Sequence, residues 1–99
     1  MELMTLELKE RFEIIGQQSE DLNPIIIAKF FDPMGSGTWY VSEYEPETNI
    51  CFGYVTGLGH NEWGYFSLTE LEAIERPLGM KIERDICFTE ARFKDLKIK

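Results

Sequence analysis

The chain has 99 residues, 43% of them hydrophobic, with seven Phe, four Tyr and two Trp. That supplies one core and not two, so residues 1–99 form a single domain, and it excludes a disordered chain. Eighteen acidic against ten basic residues give a net charge of −8, which repels phosphate backbones and excludes direct electrostatic binding of nucleic acid.

In chain order, MTLELKERFEIIGQQ is a predicted helix. Met4, Leu8, Phe12 and Ile15 recur at helical spacing, Thr5 is placed to N-cap, and Gly16 suits the stop. Pro24 closes the polar connector QSEDLNP, and Ile25 to Phe31 reads as a strand apolar on both faces. DPMGSG turns the chain into a second strand, Trp39 to Tyr44. EPETN joins this strand to a third, Ile50 to Thr56, as a hairpin, and GLGHNE leads to a fourth, Trp63 to Phe66. Ser67 with Glu70 is a capping box, so a second helix begins there. Leu68, Leu71 and Ile74 or Glu75 face its core side, and Pro77 and Gly79 end it. A last strand alternates Met80, Ile82, Ile86 and Phe88 with Lys81, Glu83, Asp85 and Cys87. This order predicts an α+β domain: an antiparallel meander of four to five strands, an N-terminal helix, and a second helix before the last strand. Both helices are expected on one sheet face. The aromatic second face is either covered by loops and the tail or available to a partner.

Strict alternation puts Trp39, Val41, Glu43 and Glu45 on one face of the second strand and Tyr40, Ser42 and Tyr44 on the other. Glu43 then shares a face with apolar neighbours, and Arg84 does the same between Ile82 and Ile86. The two opposite charges are candidate partners, in a buried pair or around a ligand pocket; the plain alternative is two edge residues reaching solvent. His60, the only histidine, lies at a loop tip beside Glu62, without a nucleophile of any local signature. No catalytic residue is assigned on that basis, and none of the glycine runs has the strand-to-helix context of a phosphate loop. Cys51 and Cys87 sit in apolar strand-like runs and read as buried thiols; with His60 they lack zinc-site spacing, so no metal or cofactor is expected. The longest apolar run, PIIIAKFF, is too short to span a bilayer, and no secretory leader is visible, so a cytoplasmic protein with reduced thiols is expected.

The motifs FDPMGSGTWYVSE (Phe31 to Glu43), FG at Phe52, GLG at Gly57, EWGYFSLTEL (Glu62 to Leu71), PLG and IERD resemble, in that order, one family of small bacterial and phage proteins of unknown function. The similarity runs from about Leu3 to Phe88. It implies an accessory role on plasmids, conjugative elements or prophages and brings no activity or catalytic residue with it. The residues therefore point to a non-enzymatic protein-interaction module. Its binding candidates are Trp39, Glu43, Tyr44, Tyr54, His60, Trp63 and Arg84, and its partner is another protein or, as a homodimer, a second copy. The alternatives are an acidic mimic of DNA that inhibits a host DNA-binding protein, and a small-ligand binder or enzyme using Glu43 and Arg84.

Overall fold

A computed structural model describes residues 2–98. Helix α1 spans Leu6–Ile15; the Thr5 hydroxyl accepts from Leu8 N–H at 3.2 Å, and Gly16, at φ 71°, closes the last turn onto the Phe12 carbonyl. Both ends are thus fixed by the residues that cap them. The following apolar run is divided at Ile27 into β1 (Ile25–Ile26) and β2 (Ala28–Phe31). The rest of the sheet comes from β3 (Thr38–Glu45), β4 (Ile50–Thr56), β5 (Glu62–Ser67) and, after α2 (Leu68–Ala73), the two-residue β6 (Glu83–Arg84). The five-stranded order is β5-β4-β3-β2-β6, every neighbouring pair antiparallel. β1 instead pairs with β7 (Ala91–Arg92), making a second, two-stranded ribbon.

The α+β architecture expected from the sequence is therefore present. Phe12 of α1 and Leu68 and Leu71 of α2 join Phe30, Trp39, Val41, Cys51 and Ile82 in one core cluster, so both helices cover the same sheet face. The predicted strand Ile25 to Phe31 is thus two strands, and two further local expectations need correction. α2 stops at Ala73 with Ile74 already extended, so Ile74 and Glu75 lie outside the helix and are exposed. Downstream the chain is already paired in extended form: Glu75 bridges Lys81, Arg76 N–H donates to the Met80 carbonyl at 2.7 Å, and Arg76, restricted by Pro77, turns its guanidinium to Asp32 at 3.0 Å. The last strand is also short, because Asp85 accepts from Cys87 N–H at 3.0 Å and turns the chain there, leaving Ile86 exposed. The tail is ordered as β7 and a 3₁₀ turn over Phe93–Leu96.

The β3–β4 ladder contains a β-bulge. Val41 pairs with Gly53 and Glu43 with Phe52, so Ser42 is the extra residue. Two-residue alternation breaks at that point. Tyr44 moves to the helix side, with its ring 6.0 Å from that of Phe12, and Glu43 moves to the face of its cross-strand partner Phe52. Gly53 is required opposite the bulge, because a Cβ there would lie 2.0 Å from the Tyr40 carbonyl oxygen. A Gly53→Ala chain is expected to lose about 3 kcal/mol or more of stability in urea unfolding, as a backbone clash relieved only by shifting β3. Gly64→Ala, where a Cβ meets nothing within 4 Å, is expected to unfold like the parent chain.

Candidate functional site

The sheet face opposite the helices is aromatic. Phe52 and Tyr54 on β4 and Trp63 and Tyr65 on β5 project to the same side, as their register requires. Phe52 lies 5.9 Å from Trp63 and 4.8 Å from Tyr65, and Tyr54 lies 5.3 Å from Trp63. Phe93 from the 3₁₀ turn packs over this layer, 4.9 Å from Tyr54 and 4.7 Å from Trp63. The tail thus covers one part of the face. Trp63 remains 36% exposed and Tyr65 74% exposed.

Two shallow cavities flank Phe52 and share Ser19. One, about 260 Å³, is lined by Leu22, Pro24, Trp63, Phe93 and Lys94 among others. The other, about 450 Å³, places Glu13, Glu43 and Glu45 around Tyr44, Phe52 and Tyr65. Glu43 is held there by the connector after α1: its carboxylate accepts from Gln18 N–H at 2.9 Å and from the Ser19 hydroxyl at 2.8 Å. Charge-assisted bonds to a backbone N–H and a hydroxyl give this carboxylate a structural task.

The predicted site residues are only partly brought together. Tyr54 and Trp63 stand on the aromatic face, and Glu43 and Tyr44 line the larger cavity. The Tyr44 hydroxyl donates to Asn49 Oδ1 at 2.7 Å, and Asn49 in turn reaches Thr69, so Tyr44 ties the β3–β4 hairpin to α2. Trp39 is 5% exposed and belongs to the core, because it lies on the helix-covered side of β3 together with Val41. His60 is exposed in the β4–β5 turn, where it lines a separate cavity of about 260 Å³ with Trp39, Leu58 and Tyr65 among others. Arg84 does not meet Glu43: its guanidinium donates to the carbonyls of Glu2 at 2.7 Å and Leu3 at 3.1 Å, fastening the N-terminus to β6. Each charge is therefore engaged by a different, sequence-distant segment: Arg84 by the carbonyls of residues 2 and 3, Glu43 by the connector at residues 18 and 19. Phe52, Tyr65 and Phe93 were not among the sequence candidates. Cross-strand alternation could have found the first two, whereas Phe93 arrives by long-range pairing of β7.

The cysteines differ. Cys87 is exposed, contrary to the expectation of two buried thiols, because the chain turns at Asp85. Cys51 is fully buried behind the larger cavity, and burial, with Glu72 nearby adding to it, pushes its thiol up to about 12 from 9.0. A raised value stabilises the fold below the unfolded-state value and withdraws that support as pH climbs towards the folded one. Between pH 9 and about 12 the parent chain is expected to lose stability faster than Cys51→Ala, by up to roughly 1.4 kcal/mol per pH unit, in denaturation curves taken at stepped pH.

No helix among the described residues is long and apolar enough to cross a membrane. No curated protein and no solved structure matches the chain. A family model does match, over residues 2–94, a span that takes in both helices and all seven strands described above. On that coverage the chain belongs to the family described as "Protein of unknown function (DUF2958)".

Proposed function

We propose that this domain is a non-enzymatic protein-interaction module that docks through the aromatic face of its sheet. One observation carries the reading: Trp63 and Tyr65 stand 36% and 74% exposed at the margin of an otherwise packed aromatic layer. Trp and Tyr side chains supply much of the binding energy of protein interfaces, since each removes a large rigid surface from water. The likeness of its motifs to proteins carried by plasmids, conjugative elements and prophages supports a cytoplasmic accessory role on a mobile element. The other two readings draw less support. Arg11, Lys29, Arg76 and Arg92 sit in ion pairs with carboxylates, which interleaves the two signs over the surface and works against a phosphate-like array. A Glu43–Arg84 site lacks its geometry, because the two side chains bind different backbone segments.

The test is photo-cross-linking in the native host. A benzophenone amino acid in place of Tyr65 is expected to give a discrete protein adduct, and one in place of Glu10 on α1 is expected to give none. Combining the Tyr65 probe with Trp63→Ala should weaken the adduct about tenfold or more. Equal labelling from both positions, or none from position 65, contradicts the reading.

A further inference from the structure

The main sheet ends unequally. At one edge β6 offers two residues, Glu83 and Arg84, and a short charged edge resists pairing with other strands. At the other edge β5 runs six residues, EWGYFS, in unbroken register with β4. Among the described residues β4 is its only neighbour in the sheet. Alternate residues of such a strand turn their N–H and C=O groups outward, ready to pair. The usual obstacles are missing from β5: it has no Lys, no Pro and no bulge, and Glu62 at its start is its one charge. On the helix side, Gly64 leaves the space beside it open.

We propose that β5 pairs antiparallel with β5 of a second copy of this chain, about a two-fold axis through Gly64. This deepens the docking reading above, on which it rests, by naming the partner and the edge. The sequence of β5 is self-complementary in this register. Gly64 lies against its own copy, and Trp63 lies against the partner's Tyr65 on the aromatic side, twice by symmetry. Shifting the axis to Trp63 would set Tyr65 against Asn61, and shifting it to Tyr65 would set Trp63 against Ser67. Only the Gly64 register pairs both exposed rings. It also handles charge: the two Glu62 carboxylates fall four residues apart along the seam, about 13 Å, beyond the screening length of about 8 Å at physiological salt. The five-stranded sheets then join into one, with the aromatic layer continuous across the junction.

Light scattering after size exclusion is expected to give twice the 11.6 kDa chain mass. Tyr65→Lys should return the mass of one chain with an unchanged circular dichroism spectrum. In a Cys87→Ser background, Gly64→Cys should oxidise to a covalent dimer, because antiparallel partners lie within disulfide reach, about 4.5–5.5 Å between Cα atoms. Glu62→Cys in the same background should not. A single-chain mass for the parent protein overturns the proposal, as does equal cross-linking at both positions. A photo-adduct from position 65 that holds only other proteins overturns the second copy and leaves the docking reading standing; no adduct at all overturns both.

Discussion

The side-chain amide of Gln18 occupies a place where a strand would otherwise be. Its nitrogen donates to the carbonyls of Ile25 and Ser42, each at 2.9 Å, and its oxygen accepts from Ile25 N–H at 2.7 Å. Its own backbone N–H goes to Glu43. The need arises beside the bulge: the β2–β3 ladder ends at Ala28 opposite Val41, and backbone groups around the buried Ser42 require partners. An amide, with donors on one atom and an acceptor on the other, can serve both strands at once. Each of these groups left without a partner would cost about 1–3 kcal/mol.

The outer face follows from that one substitution of side chain for strand. Joined to β3 through the Gln18 amide, β1 takes β7 as its strand partner, and Phe93 N–H donates to the Pro24 carbonyl at 2.8 Å beside it. This brings the Phe93 ring over Tyr54 and Trp63. The same bulge swings Glu43 outward to clamp residues 18 and 19, and swings Tyr44 inward to α1. Phe93 thus covers part of the aromatic layer, and Tyr65 stays exposed. The exposed remainder adjoins β5, whose one sheet neighbour among the described residues is β4, and the docking proposed above rests on these two features together.

What the sequence made legible was local. The Thr5 cap, the Gly16 stop and the Ser67 cap each act within a single turn of chain and stand as read. Of the predicted Ser67–Glu70 box the described residues form one half, the Ser67 hydroxyl accepting from Glu70 N–H at 3.1 Å. Alternation also placed Trp39 and Val41 on one side correctly, but it could not say which side the helices cover, since both sides carry aromatics. The bulge was illegible because Ser42 is an ordinary strand residue. Its cause is opposite and distant, in Gly53 and Gln18. The Glu43–Arg84 pairing failed for a related reason: a charge on an apolar face finds backbone donors or carbonyls as readily as an opposite charge, and sequence shows only the latter. The ribbon of β1 and β7 joins residues more than sixty positions apart by two pairs, too few for any periodic signal.

Amide hydrogen exchange read residue by residue tests the dependence on Gln18 most directly. In the parent chain the Ile25 and Phe93 amides are expected to be protected. In Gln18→Ala both should exchange much faster while Tyr40, in the middle of the sheet, keeps its protection. Rapid exchange at Ile25 in the parent chain, or unchanged protection of Ile25 and Phe93 in the variant, would contradict it.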